Sequence, residues 1–134
     1  MATVERSSGT RGAFYVKIDG ERVLYIEPGK LGDNLDAIKS LNEEAKNYSG
    51  PVKTNIGNTE LKLKDIGWFS TDLRVQMHST EDPRCVHSTY KEVPISQIPD
   101  VIKTMEDFVD EESGKNLQDY RVGELRRLLG NKIV

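Results

Sequence analysis

Cysteine is almost absent from this chain, since Cys85 is the only one among 134 residues. A single thiol forms no intrachain disulfide, which excludes the disulfide frameworks of small secreted domains. Long apolar runs are also missing, and the polar N-terminus lacks the apolar segment that a signal peptide needs. We therefore expect neither a signal peptide nor a membrane span, and we expect a cytoplasmic protein.

The chain also lacks an excess of positive charge, because its formal net charge is −3. It therefore lacks the long-range positive field with which non-specific nucleic-acid binders attract phosphates. Several enzyme motifs are missing as well, including GxSxG, HExxH and a glycine-rich phosphate loop. We expect a non-enzymatic protein with no catalytic residues and no cofactor.

What the chain does have is enough apolar sequence for one core. The hydrophobic fraction is 36%, and these residues recur at regular spacings. Residues 1–10 are polar and predict a flexible N-terminal arm. Residues 11–134 predict a single domain. The helical segments that begin at Leu35 and Pro99 resemble each other. We therefore keep a second hypothesis for this domain, in which it consists of two ββα-type halves (11–50 and 51–114) followed by a C-terminal helix (116–130).

Three β-hairpins are predicted, and the first has the strongest turn. Asp19 and Gly20 suit a type I′ turn, in which both residues need positive φ. If Ile18 pairs with Glu21, one face carries Phe14, Val16, Val23 and Tyr25, and the other carries Tyr15, Leu24 and Ile26. The second hairpin turns at Gly57 and Asn58, with Leu61 and Leu63 alternating against charged residues. The third joins the segments on either side of residues 79–84.

Two amphipathic helices are predicted between and after these hairpins. The first runs from Asp33 to Tyr48, with Asp33 or Asn34 as its cap. The second begins near Ser96, tolerates Pro99 in its first turn, and has an apolar stripe of Val101, Ile102, Met105, Phe108 and Val109. This order predicts an α+β fold: an antiparallel sheet of about six strands in three hairpins, with two longer helices and a short C-terminal helix packed on one side.

A metal or thiol site is one hypothesis for the third hairpin. If Met77 pairs with Val86, then His78 faces Cys85 and His87 lies diagonal to it. Zinc accepts this mixture of nitrogen and sulfur ligands, and a histidine beside a thiol also suits a cysteine nucleophile. The paired spacing of established zinc motifs is missing, so we predict no metal site and keep a metal-dependent or cysteine enzyme as a third hypothesis.

A basic strand face beside an aromatic loop is the second candidate site. Lys62, Lys64 and Arg74 fall on predicted strands, and the loop between those strands carries Trp68 and Phe69. Strands followed by the helix from Ser96 resemble the ββββα units of single-stranded-DNA-binding transcriptional coactivators. This resemblance implies a single-stranded nucleic-acid binder, although no motif residue is carried over. Basic and acidic residues nearly balance in this region, so nucleic acid is not the favoured partner.

The C-terminal segment carries the third set of candidate contacts. Arg121, Arg126 and Arg127 follow a strongly acidic helix, and guanidinium groups suit carboxylate or phosphate partners. Taken together, these patterns predict a small binding, regulatory or inhibitory protein. It would act on a protein or a small-molecule ligand through a sheet face or the Trp68 loop. Self-association through an edge strand is a further hypothesis, and we expect no membrane partner.

Overall fold

The structure is a computed structural model that describes residues 1–66, 72–81 and 88–114. The strands are β1 (Ala2–Arg6), β2 (Phe14–Ile18), β3 (Glu21–Ile26), β4 (Val52–Ile56), β5 (Thr59–Asp65), β6 (Leu73–Thr80) and β7 (Ser88–Pro94). The helices are α1 (Leu31–Lys46) and α2 (Ile98–Gly114), with a 3-10 turn (Ile95–Gln97) before α2. The predicted α+β class is therefore confirmed, and the predicted C-terminal helix at 116–130 lies outside the described residues.

The strands form two antiparallel sheets, in the orders β1-β2-β3 and β4-β5-β6-β7. The prediction of one sheet of about six strands is therefore wrong. The first hairpin does not extend the second sheet, because β3 lies against β6 and β7 without joining their ladder. The helices contact each other, but α1 packs against β4 and β5 whereas α2 packs against β1. The two sheets and two helices enclose one main core.

The N-terminal segment contains a strand where the sequence predicts a flexible arm. Ala2–Arg6 pairs along its whole length with β2. The Ala2 N–H donates to Asp100 Oδ2 of α2 at 2.8 Å, and the Thr104 hydroxyl donates to the Ala2 carbonyl at 3.3 Å. At its other end, Arg6 forms an ion pair with the buried Glu112 of α2. Helix α2 thus supplies the partners that this polar segment needs to become ordered.

The first hairpin has the predicted turn but not the predicted faces. Asp19 and Gly20 have φ angles of 52° and 82°, and Ile18 pairs with Glu21. A bulge between Val16 and Lys17 then shifts the register by one residue. The side chains that face the main core are therefore Phe14, Val16, Val23, Leu24 and Ile26, while Tyr15 and Tyr25 pack on each other in a separate cluster.

Both helices start differently from the prediction. Helix α1 begins at Leu31, which is fully buried, so Asn34 lies inside its first turn and donates its side-chain amide to the Lys30 carbonyl at 2.8 Å. Neither Asp33 nor Asn34 caps it. Ser96 lies in the 3-10 turn, and α2 starts at Ile98 with Pro99 in its first turn.

Neither described helix combines the length and the apolar composition of a membrane span.

Two buried hydroxyl groups connect the two sheets. The Tyr25 N–H of β3 donates to Ser79 Oγ at 2.9 Å, and Thr59 Oγ1 donates to the Tyr25 carbonyl at 3.5 Å. Thr59 and Ser79 are paired across β5 and β6, and both are almost fully buried. A buried backbone group without a partner costs free energy comparable to a lost hydrogen bond. These hydroxyls therefore satisfy both backbone groups of Tyr25 at the edge of β3, where no described strand pairs.

We expect Ser79→Ala to destabilise the fold by about 1–3 kcal/mol, because it leaves the buried Tyr25 N–H without an acceptor. Chemical denaturation measures the free energy of unfolding. Ser88→Ala is the matched control, since Ser88 is exposed on β7, and its cost should stay within about 0.5 kcal/mol. Equal stabilities of the two variants would contradict the role of Ser79.

The β4–β5 turn is a second contact between the sheets, because the Asn58 N–H donates to the Glu27 carboxylate. Gly57 has a φ of 56°, and a Cβ on it would lie 2.7 Å from Glu27 Oε1. Gly20 also has a positive φ, but a Cβ there meets nothing within 4 Å.

We expect Gly57→Ala to lower the free energy of unfolding by about 1 kcal/mol more than Gly20→Ala does, because it also displaces a charge-assisted hydrogen bond. Chemical denaturation measures both variants. Equal costs would contradict this contact.

Candidate functional site

The outer face of the second sheet is the surface that carries most of the described candidate residues. Leu61, Leu63, Val75 and Met77 are fully buried on the inner face, so the residues between them face outward. Lys62, Gln76 and Glu92 form one cross-strand row, and Lys64 lies opposite Arg74. A further row contains Glu60, His78 and Tyr90. We call this surface the outer face and define it by these eight residues.

Tyr90 is the exposed aromatic side chain of the outer face, with a relative exposure of 52%. Its ring lies edge-on to the His78 ring, with centroids 5.9 Å apart. Its hydroxyl donates to Glu92 Oε1 at 2.9 Å. Of the large apolar side chains exposed in the described chain, Tyr90 is the one that lies within a strand. Its position is therefore set by a strand, a neighbouring ring and a hydrogen bond.

The charges of the outer face are largely paired. Lys64 Nζ lies 2.6 Å from Glu92 Oε1, and Lys53 at the sheet edge lies 3.5 Å from Glu60 Oε2. Arg74 forms an ion pair with Asp72 at 3.3 Å. These pairs leave a face of mixed charge, in which Lys53 lies opposite Lys62 and Lys64 lies opposite Arg74.

Glu92 links Tyr90 and Lys64 into one network. The hydrogen bond from Lys64, and then that from Tyr90, hold the pKa of Glu92 below its ordinary value. The hydrogen bond to Glu92 raises the pKa of Tyr90, and the same carboxylate raises the pKa of Lys64. A lowered carboxyl pKa stabilises the network above the ordinary glutamate pKa, and a raised tyrosine pKa stabilises it below the ordinary tyrosine pKa. The hydrogen bonds of Lys64 and Tyr90 to a charged Glu92 therefore contribute most between the ordinary pKa values of glutamate and tyrosine.

A shallow cleft of about 590 Å³ adjoins the outer face at Tyr90. Its opposite wall is the tip of the first hairpin, which includes Lys17 and Arg22. The guanidinium carbon of Arg22 lies 4.0 Å from the centre of the Tyr15 ring, and Lys17 forms an ion pair with Glu5 at 2.6 Å. Tyr90 therefore lies where the outer face meets this cleft.

The predicted pairing of the third hairpin is wrong. Met77 pairs with Lys91 and His78 pairs with Tyr90, so the cross-strand partner of His78 is not Cys85. The observed register places Thr80 opposite Ser88. Cys85 and His87 lie outside the described residues, and within the described ranges no three metal-ligating side chains come together.

The other predicted site residues divide into two groups. Lys62, Lys64 and Arg74 lie close together on the outer face. The aromatic loop and the C-terminal arginines lie outside the described residues: Trp68, Phe69, Arg121, Arg126 and Arg127.

Tyr90 and Glu92 are two residues of this face that the sequence analysis did not single out. The available signal was Val93, which is an apolar residue next to Pro94 and is almost fully buried. Because strand side chains alternate, an inward Val93 requires Tyr90 to be on the opposite face from it. Lys91 obscured this pattern, because it is a charged residue two positions before Val93 and therefore shares its face of the strand.

The outer face thus combines an aromatic side chain that two neighbours hold in position with paired charges, an arrangement suited to binding.

No family model, curated protein or solved structure matches this chain. The geometry of the face alone therefore supports the functional argument.

We expect Glu92→Gln to shift the Tyr90 pKa downward toward its ordinary value, because the charged acceptor of its hydroxyl is lost. An NMR pH titration of the tyrosine ring signals measures this midpoint. Glu60→Gln is the matched control, since Glu60 is the other carboxylate of the outer face and has Lys53 as its ion-pair partner. An unchanged midpoint in Glu92→Gln would contradict the network.

Proposed function

We propose that this protein is a non-enzymatic binding protein that docks a protein partner on the outer face of its second sheet, with Tyr90 as the central contact. The observation that supports this proposal is an exposed aromatic ring held in place by His78 and Glu92. Binding-energy hot spots are enriched in tyrosine, and a side chain that is already ordered loses little entropy on docking. An exposed but ordered Tyr90 has both properties.

The charge pattern around Tyr90 favours a protein over a nucleic acid. A surface that binds the phosphate backbone needs several cations free to replace counterions. Here Lys64 and Arg74 have carboxylate partners at 2.6 and 3.3 Å, respectively. The face mixes these cations with Glu60 and Glu92, so a partner of mixed charge matches it, and such complementarity determines specificity and orientation.

A single-stranded nucleic-acid binder is the second candidate, because basic residues and the Tyr90 and His78 rings share one sheet face. Such binders combine stacking aromatic rings with cations, and their affinity falls as salt concentration rises. A labelled single-stranded oligonucleotide distinguishes the candidates. Salt-dependent binding that Lys62→Ala and Tyr90→Ala both weaken would support nucleic acid and would contradict the protein-docking proposal.

We expect Tyr90→Ala to cost under about 1 kcal/mol of folding stability, since the ring is half exposed. The same change should weaken partner binding by about 2 kcal/mol or more. Tagged wild-type and variant proteins are compared by affinity purification from the native host, followed by titration with the partner recovered.

The control for this experiment is Lys103→Ala, because Lys103 is exposed on α2 and its ion-pair partner Asp107 lies on the same helix. A photo-crosslinking residue at position 90 should capture the partner, and one at position 103 should not. Full retention of the partner by Tyr90→Ala would contradict the proposal.

A further inference from the structure

Four strand edges border the two sheets, and at three of them an element of the same chain outside the sheet forms a hydrogen bond or an ion pair with the edge strand. Helix α2 bonds both backbone groups of Ala2 on β1. The Ser79 and Thr59 hydroxyls bond both backbone groups of Tyr25 on β3. On β7, Lys91 forms an ion pair with Glu21 from the tip of the first hairpin. A lysine and a nearby proline such as Pro94 are also devices that discourage strand pairing at an edge.

The fourth edge, β4, has no such hydrogen bond or ion pair in the described part of the chain. The hairpin joining β4 to β5 has a two-residue loop, so the pair flanking the turn, Ile56 and Thr59, exchanges both hydrogen bonds. Hydrogen-bonded pairs alternate along an antiparallel ladder. Lys53 and Asn55 therefore direct their backbone N–H and C=O groups away from β5. No described backbone group outside β5 bonds to them.

The sequence of β4 is complementary to itself when two copies run antiparallel about Thr54. Lys53 then lies opposite Asn55 of the other copy, and Val52 lies opposite its Ile56. The first pair is the one that uses the free backbone groups of both strands. Val52 and Ile56 are only partly buried in the single chain and already pack against the core. Pairing would thus extend both the ladder and the apolar face.

Charge supports the same register. Within one chain Lys53 lies opposite Lys62, and Asn55 lies opposite Glu60. In the paired arrangement, one cross-strand row therefore contains Lys62 and Lys53 of one copy, followed by Asn55 and Glu60 of the other. Lys53 of each copy therefore faces the neutral Asn55 of the other, and no like charges lie opposite each other across the new contact. Pairing about Lys53 would instead place two lysines opposite each other, which is destabilising.

We propose that two copies of this protein associate through antiparallel pairing of β4, which joins their second sheets into one eight-stranded sheet. This interface is independent of Tyr90, so either proposal stands if the other fails. The association is tested by sedimentation equilibrium from micromolar to millimolar concentration. The expected result is a concentration-dependent change from monomer to dimer. A monomeric mass throughout this range would overturn the proposal.

The variant that tests the register is Asn55→Lys. In its own chain the new lysine faces Glu60, which favours folding, but in the pair it faces Lys53 of the other copy. We expect the dimer dissociation constant to rise at least about fivefold, since two like-charge pairs are created. Thermal melting of a dilute sample should show that the monomer still folds.

A charge swap and a matched control complete the test. Adding Lys53→Asn to Asn55→Lys restores a lysine–asparagine pair and should return the dissociation constant toward that of the wild type. Gln76→Lys adds the same charge to the middle of the same face, two strands from β4, and should leave dimerisation unchanged. An unchanged constant in Asn55→Lys, or failure of the swap to restore it, would overturn the β4 register.

Discussion

The hydrogen bond from the Tyr25 N–H to the Ser79 hydroxyl, 2.9 Å long, is the contact on which the architecture depends. It satisfies the edge of β3 with a side chain instead of a further strand. The first sheet can therefore pack against the second without joining its ladder, and both inner faces share one core. The buried Thr59 hydroxyl, cross-strand partner of Ser79, extends this arrangement to the Tyr25 carbonyl. A methyl group in place of either hydroxyl would leave a buried polar group on β3 without its partner.

The same requirement for satisfied edges determines which surfaces stay open for partners. The inner faces and three edges are used by the fold itself. Among the described residues, nothing covers the outer face, where Tyr90 contacts His78 and Glu92, or the β4 edge. These two surfaces lie at different places on one sheet. A dimer formed through β4 would therefore present two copies of the outer face side by side, so that a partner with repeated binding segments gains avidity.

The sequence predicted the local features well and the long-range ones poorly. The Asp19–Gly20 turn followed from its positive φ requirement, and the alternation of Leu61 and Leu63 identified the buried face of β5. The bulge at Val16, in contrast, has no local signature, because burial of Leu24 and Ile26 in the main core decides it. Lys62, Lys64 and Arg74 do lie on one strand face, and their role in binding stays a prediction. Tyr90 was missed, since its outward position follows only once the burial of Val93 is known, and Lys91 on the same face as Val93 hides that pattern.

Backbone amide hydrogen exchange at Tyr25 tests most directly the claim that a side-chain hydroxyl completes the edge of β3. The account predicts that this amide exchanges as slowly as the ladder amides of β2, because its hydrogen bond to Ser79 is buried and opens only with the sheet contact. In a dilute sample the amides of Lys53 and Asn55 on the open β4 edge should exchange much faster. A Tyr25 amide that exchanges as fast as these two would contradict the account.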